Sequence, residues 1–306
     1  MVDLHTHSSA SDGALNPGQL IDEAAKRGLK AIALTDHDTL RGLEEAGKEA
    51  ESRGIALIPG IELEISWELS SPEANAPASP VINGEFHLLG LGIRRPSQDF
   101  LDTLGDLAGV RERRNLQILD RMREAGINAD YKEVLALAGG GSVGRPHFAA
   151  LLIGRKLAKN QEQAFNRYLG KGKPFYVPKA GLEFRRAVEL IRASGGIAVL
   201  AHPMSLYVSW GRLPDLMKHL ADMGLDGIEA WHPTAKVSAC KRLENLGKSL
   251  GLAITAGSDF HGAAIRPDRK LGFTAGNRKI DDEILAQIEA LKEYGEPAVQ
   301  GRKRAL

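Results

Sequence analysis

Asp3-Leu4-His5-Thr6-His7 sets two imidazoles two residues apart, and in an extended segment residues i and i+2 point to the same face. Both rings can reach one cation from there, and neutral imidazole is a ligand for Zn, Mn and Fe. Asp259-Phe260-His261 repeats this spacing far along the chain. Between the two lie Asp36-His37, Glu62, His87, His202 and His232, with Asp12 just after the first pair. The single Cys240 excludes a cysteine-rich zinc site and an intrachain disulfide framework, so a metal here must rest on His, Asp and Glu. Glu62 is the natural bridge, since one carboxylate can give an oxygen to each of two cations about 3.5–4 Å apart.

These residues need elements that converge on one point. Asn16-Pro17 reads as an N-cap followed by proline at the first helical turn, and Leu20, Ile21, Ala24 and Ala25 keep helical spacing up to Gly28. Residues 31–35 form a short apolar run, residues 40–53 a helix stopped by Gly54, and residues 55–65 a strand broken at Pro59-Gly60. This is β-α-β-α-β, the pattern of a parallel sheet or barrel. Residues 68–84 read as a loop, and residues 85–93 as a strand containing His87. Helical patterns then fill 97–126, 131–138, 146–159 and 161–168 with no strand between them. Alternation resumes with a helix over 182–194 and strands over 197–201, 227–230 and 253–256, separated by helices over 213–223 and 235–250; a last helix spans 281–293.

In parallel α/β folds, sites sit at the carboxyl ends of the strands. Seven of the nine histidines fall at or near such ends, and only His147 and His219 lie in helical patterns. A scatter without function would put several on helix faces or in the helical stretch, so the clustering points to a multinuclear metal site.

Composition bounds the partners. With 306 residues and 43% hydrophobic content the chain can bury a large core. A net charge of +1 argues against a simple polyanion-coating protein, yet residues 94–186 hold 18 Arg and Lys against 10 Asp and Glu, leaving 22 against 29 elsewhere. An acidic part with clustered ligands beside a basic segment suggests a metal site that faces an anionic substrate. The N-terminus lacks the pattern of a secretory signal, no run of about 18 apolar residues occurs, and a soluble cytoplasmic enzyme with no membrane contact and no obligate protein partner is expected.

Together, Asp3-Leu4-His5-Thr6-His7, Thr35-Asp36-His37-Asp38, Gly60-Ile61-Glu62, Phe86-His87, Ala201-His202-Pro203 and Gly257-Ser258-Asp259-Phe260-His261 resemble the PHP family, the polymerase and histidinol phosphatase domains. The resemblance covers residues 1–93 and 182–275. It implies an α/β fold, a distorted seven-stranded (β/α) barrel, formed here by residues 1–95 and 175–306 around a helical insertion at 96–174. It also implies two or three divalent ions of Mn, Zn or Fe. One would rest on His5, His7, Glu62 and Asp259, a second on Glu62, His87 and His202, and a third on Asp12, His37 and His261. The insertion, with Gly144-Arg145-Pro146-His147-Phe148-Ala149 and Gly170-Lys171-Gly172-Lys173-Pro174, is similar to that of the subgroup containing nucleoside 3′,5′-bisphosphate phosphatases and 5′-to-3′ exoribonucleases.

Water held between two cations loses a proton near neutral pH and is placed for in-line attack on phosphorus, so no protein nucleophile is required. Neither a P-loop nor a nucleophile elbow is present. Arg145 and His147 flank a proline that starts a helix, where a guanidinium can meet a phosphate in bidentate fashion. Lys171 and Lys173 are further phosphate candidates, whereas Arg111, Arg113 and Arg114 read as a solvated helix face and Arg302-Lys303-Arg304 as a solvated tail. His232 ends a strand at the same mouth and is assigned to substrate phosphate or to leaving-group protonation, so Glu62, Asp259 and His232 carry the expected catalysis. Trp231 and Phe260 are expected in the core.

The function expected is hydrolysis of nucleotide phosphoesters, either 3′,5′-nucleoside bisphosphates or short 5′-phosphorylated RNA. A non-nucleotide phosphomonoester such as histidinol phosphate is the rival substrate. A silent module that binds metal or nucleic acid is disfavoured, because every ligand of the pattern is present.

Overall fold

The apolar runs become strands covered on both faces. Ala31–Leu34 and Ile197–Leu200 are buried at every position, as strands of a parallel barrel must be. In this computed structural model, which describes residues 1–67, 82, 84–139 and 141–288, the chain runs β1 (Val2–Asp3), α1 (Pro17–Lys26), β2 (Ala31–Leu34), α2 (Leu43–Arg53), β3 (Ala56–Ser66) and β4 (His87–Leu91). Helices α3 (Gln98–Glu124), α4 (Tyr131–Leu137), α5 (Arg145–Gly154) and α6 (Gln161–Ala164) follow, the last running into a π-helical turn at Phe165–Leu169. Then come β5 (Leu182–Glu183), α7 (Phe184–Ala193), β6 (Ile197–Leu200), α8 (Leu213–Asp222), β7 (Gly227–Trp231), α9 (Val237–Ser249) and β8 (Ala253–Ala256), with a small hairpin of β9 (Phe273–Thr274) and β10 (Arg278–Lys279).

The main sheet has the order β1-β2-β3-β4-β6-β7-β8, with β5 beside the end of β3. It closes where the chain beyond β1 meets the chain beyond β8: Thr6 bridges Phe260, His7 N donates to Phe260 O at 2.9 Å, and Asp259 N donates to His5 O at 3.0 Å. Asp3 fastens the same seam, accepting from Ser258 N at 2.9 Å and Gly272 N at 2.7 Å. Burial raises its pKa to about 6, against the lowering by those donors.

Several expectations shift. The strand expected to break at Pro59-Gly60 does not break but changes partner there, pairing with β2 through Pro59 and with β4 from Gly60 onward. A Cβ on Gly60 would lie 2.9 Å from Gly90 O, so this close approach needs glycine. Strand β4 is antiparallel to both β3 and β6. His87 therefore reaches the mouth from the first residue of its strand, not the last. Leu182 and Glu183 are a strand rather than the first turn of a helix, because they pair with Ile65 and Ser66. Helix α5 stops at Gly154, five residues short of the expected end at 159. Residues 283–288 are helical, while the rest of the helix expected at 281–293, nearly all of the loop expected at 68–84 and the basic tail at 302–304 lie outside the described residues.

Local chemistry explains the helix ends. Asn16 and Gln19 form a reciprocal capping box before α1, with Pro17 in the first turn, and α2 ends at Gly54 in the left-handed conformation (φ 67°). Leu20 and Ile21 of α1 are wholly buried, worth about 2 kcal/mol each by area. Among the described residues between β4 and β5 there is no strand, and helices α3 to α6 pack on a core of their own that includes Ile118, Met122, Phe148, Leu152 and Phe175. Arg114 Nε donates to Val177 O at 3.0 Å within that cluster, and Arg111 pairs with Asp38 after β2, joining the helices to the barrel rim. No described helix is long and apolar enough to cross a membrane.

Candidate metal centre at the barrel mouth

Glu62 is 1% exposed and lies at the centre of five imidazoles. Its Oε1 is 2.9 Å from His87 Nδ1 and 2.9 Å from His202 Nε2; its Oε2 is 3.1 Å from His37 Nδ1 and 3.3 Å from Nε2 of both His5 and His7. Glu62 lies within β3 rather than at its end, where the chain after β2 still runs alongside it, and His37 bridges Glu62. Asp259 Oδ1 is 3.7 Å from His5 Nε2, 3.5 Å from His7 Nε2 and 3.5 Å from His261 Nδ1. Asp12 Oδ1 is 3.3 Å from His261 Nε2, and its Oδ2 is 3.9 Å from His37 Nε2.

Backbone strain aims these groups. His202 (φ 27°), Asp259 (φ 54°) and Asp38 (φ 50°) occupy the left-handed region, which costs a side-chain-bearing residue of order 1–3 kcal/mol and persists only where the surroundings enforce it. The loop carrying Asp12 is pinned by Asp36, which accepts from Ser8 N at 2.8 Å, Ser8 Oγ at 2.6 Å and Ser11 Oγ at 2.5 Å. A Cβ on Gly257 would fall 2.2 Å from His5 Cβ, so only glycine lets the chain leaving β8 pass this close to the first histidine.

The electrostatics favour a cation. Burial opposes a charge on His5, but Glu229 and Glu62 outweigh it and hold its pKa well above the ordinary imidazole value. Burial is likewise overcome at His7, by Asp259 and Glu62, to about 9, and at His87, by Glu62 and Glu64, to about 10. At His37 burial wins and lowers the pKa to about 3, leaving a neutral ring with a lone pair. Glu62 and Asp259 sit well below the usual carboxylate range: burial pushes them up, but the surrounding imidazoles, His37 and His87 at Glu62 and His261 and His232 at Asp259, push them further down. Nε2 of His5 and Nε2 of His7 face each other at 3.1 Å, and His7 Nδ1 is buried without a partner. Two facing ring nitrogens with carboxylate oxygens alongside suit a shared divalent ion better than any pattern of protons. Four groups have their ligand atoms mutually within 4.8 Å: His5, His7 and Asp259; His5, Glu62 and His202; His37, Glu62 and His87; and His7, Asp12, His37 and His261.

A cavity of about 520 Å³ opens over this centre. Its floor includes His37, Glu62, His87 and His202, and its walls carry Arg111, Arg114, Arg145, Lys179 and Arg266. Arg145 Nη2 lies 3.1 Å from Glu85 Oε1, and its guanidinium lies 5.6 Å from the Phe165 ring centroid and 5.8 Å from that of Tyr176.

Other expected positions are corrected. Lys171 and Lys173 are exposed and do not line the cavity; their loop folds back on the π-helical turn through Phe175 N to Tyr168 O at 2.8 Å. Lys179 takes the place expected of them, paired with Glu64. His147 does not line the cavity either; its Nδ1 accepts from Gly144 N at 3.0 Å and caps α5. Arg111 and Arg114 belong to the cavity wall rather than to a solvated face, and Arg114 is only 7% exposed; Arg113 alone is exposed as expected. His232 is buried and is not among the residues lining the cavity; its Nδ1 is 2.7 Å from Thr234 Oγ1 and its Nε2 3.4 Å from Asp259 Oδ2, so it abuts a candidate ligand. Phe260 is in the core, while Trp231 is half-buried with its Nε1 donating to Glu244 Oε2 at 2.8 Å.

Sequence reasoning missed Glu229 and Glu64. Glu229 is wholly buried, with Oε1 3.0 Å from His5 Nδ1 and Oε2 accepting from His202 N at 2.7 Å. A lone acid inside the apolar run Gly227-Ile228-Glu229-Ala230 was the available signal. Glu64 Oε2 lies 2.9 Å from His87 Nε2, and its i+2 spacing from Glu62 announced a shared face.

A family model described as the PHP domain matches residues 3–179. The chain belongs to the PHP family. It is 34% identical over 280 residues to a 5′-3′ exoribonuclease, Rnm, of Salmonella typhimurium, covering 90% of this chain and 91% of that protein. With a 3′,5′-nucleoside bisphosphate phosphatase of Chromobacterium violaceum it shares 32% identity over 297 residues, 94% of this chain and 96% of the other. A crystal structure from Bifidobacterium adolescentis, assigned as a metal-dependent phosphoesterase, superposes with a TM-score of 0.78 at 26% identity over 94% of this chain and 95% of that one. The PHP barrel, with a sheet nearly closed on itself, is thus the fold of this chain, and phosphoester hydrolysis is its enzyme class.

Proposed function

We propose that this PHP enzyme hydrolyses phosphoesters of small nucleotides, taking 3′,5′-nucleoside bisphosphates or short 5′-phosphorylated RNA. The observation that carries the reading is one cavity that joins a buried cluster of imidazoles and carboxylates to five cationic side chains. Its volume, about 520 Å³, suits a nucleotide-sized ligand.

In this reading two or three divalent ions of Mn, Zn or Fe are held at the mouth. His5, His7 and Asp259 serve one ion with Glu62, His87 and His202 serve a second with Glu62, and Asp12, His37 and His261 serve the third. Such ions supply Lewis acidity at the phosphoryl oxygens and ease deprotonation of water. The chain's own residues do the rest. Arg145, stacked beside Phe165 and Tyr176, and Lys179 hold the phosphate oxygens by charge-assisted hydrogen bonds. Arg111 and Arg114 add positive potential on the wall, and the buried floor limits bulk water around the reacting phosphorus. Glu229 keeps a proton on His5 Nδ1, so that Nε2 presents its lone pair toward Asp259 and Glu62.

The test is a substrate panel with Mn-loaded enzyme. Phosphate release from adenosine 3′,5′-bisphosphate, or mononucleotide release from short 5′-phosphorylated RNA, is expected. Turnover of neither, or turnover confined to a non-nucleotide ester such as histidinol phosphate, would overturn the reading.

A further inference from the structure

A second cavity, of about 430 Å³, is formed where the loops after β6 and β7 meet the first turn of α9. Met204, Trp210, Thr234, Lys236 and Arg242 help to line it. It shares two loops with the metal centre: Met204 follows His202 by two residues, and Thr234 follows His232 by two, with its Oγ1 2.7 Å from that ring's Nδ1. The indole of Trp210 is half-buried, and the Arg242 guanidinium lies over it, 4.3 Å from the ring centroid. Among the described residues neither Lys236 nor Arg242 is in an ion pair, and both are exposed. The lining is otherwise mostly apolar, with few hydrogen-bonding groups of its own to satisfy.

A ring backed by a guanidinium, in an apolar slot with two uncompensated cations, is complementary to a flat π-system attached to an anion. A nucleobase on its phosphodiester backbone has that chemistry, and stacking on Trp or Arg is tolerant of base identity. We propose that Trp210 and Arg242 form a base-stacking subsite for single-stranded oligonucleotides, engaging a nucleotide of the chain beyond the one in the catalytic cavity, while Lys236 meets the backbone. The inference rests on the nucleotide reading of the main site and extends it: a mononucleotide fills the first cavity only, whereas an oligonucleotide reaches both. Occupation of the second cavity therefore favours polymer over monomer, and it does so without sequence preference.

The experiment measures equilibrium binding to the enzyme as purified, so that it does not depend on turnover. Phosphorothioate-linked oligoadenylates of increasing length are compared with adenosine 3′,5′-bisphosphate by anisotropy competition. The wild type is expected to bind the oligomers more tightly than the mononucleotide. In Trp210→Ala the ratio of oligomer to mononucleotide affinity is expected to fall about tenfold, the worth of one stacked base, and Trp210→Phe is expected to retain most of it. An unchanged ratio in Trp210→Ala would overturn the subsite, as would a parallel weakening for both ligands. Equal recovery by Trp210→Leu and Trp210→Phe would overturn it too, since packing alone would then explain the effect. Failure of the phosphoesterase reading shows separately, as absence of turnover on unmodified ligands.

Discussion

Replacing Glu229 with Gln tests how the first histidine is held. Both carboxylate oxygens are in use, one 3.0 Å from His5 Nδ1 and the other accepting from His202 N at 2.7 Å, and the side chain is wholly buried. Glutamine keeps the shape but has one acceptor. If that oxygen stays on the His202 amide, the NH₂ group faces His5 Nδ1 and drives the ring proton to Nε2, the nitrogen that faces Asp259 and Glu62. If it turns to His5, a buried backbone N–H goes without its partner at about 1–3 kcal/mol. Removing such an outer hydrogen bond weakens metal binding by about 10- to 100-fold, or about 1.4–2.8 kcal/mol. Competition with a chromophoric chelator measures this directly, with a thermal melt for stability. Raised metal concentration should restore much of the missing kcat. Metal affinity within twofold of wild type, with an unchanged Tm, would refute the reasoning.

Other outcomes follow from the same geometry. Glu62→Ala should abolish nearly all turnover and bind fewer ions, checked by phosphate release and metal analysis, because five imidazoles converge on that one carboxylate. Gly257→Ala should lower stability by about 3 kcal/mol in a denaturant titration, since its Cβ would lie 2.2 Å from His5 Cβ and 2.6 Å from Glu229 Oε1. In steady-state kinetics, Arg145→Ala or Lys179→Ala should raise KM about tenfold, the worth of one charge-assisted hydrogen bond to phosphate. Lys171→Ala with Lys173→Ala should change it by about twofold at most, because those two are exposed away from the cavity.

Much of this was legible in the sequence because barrel strands are short apolar runs and the side chains at the mouth are chemically conspicuous. His5, His7, Asp12, His37, Glu62, His87, His202, Asp259 and His261 come together, although Glu62 lies inside β3 and Asp12 in the loop after β1 rather than at a strand end. What escaped was direction and depth. Nothing in residues 85–93 says that the strand runs backwards, so His87 reaches the site from the opposite end of its strand. Arg111 and Arg114 read as a solvated face because helical periodicity does not reveal that Asp38 of the barrel rim meets Arg111 and that the chain at Val177 covers Arg114. The glycine and proline context of Lys171, Lys173 and His147 sets a turn but not which way it faces the cavity. His232 follows the end of β7, and the sequence did not reveal that its ring lies buried 3.4 Å from Asp259.

The most direct measurement is an anomalous-difference map from crystals of the enzyme grown with Mn and adenosine 3′,5′-bisphosphate. Peaks are expected on either side of Glu62, one shared with His5, His7 and Asp259 and one with His87 and His202, with a phosphate beside Arg145. Full Mn occupancy elsewhere on the protein with no peak at Glu62, or a nucleotide bound away from the cavity, would contradict the assignment of this centre.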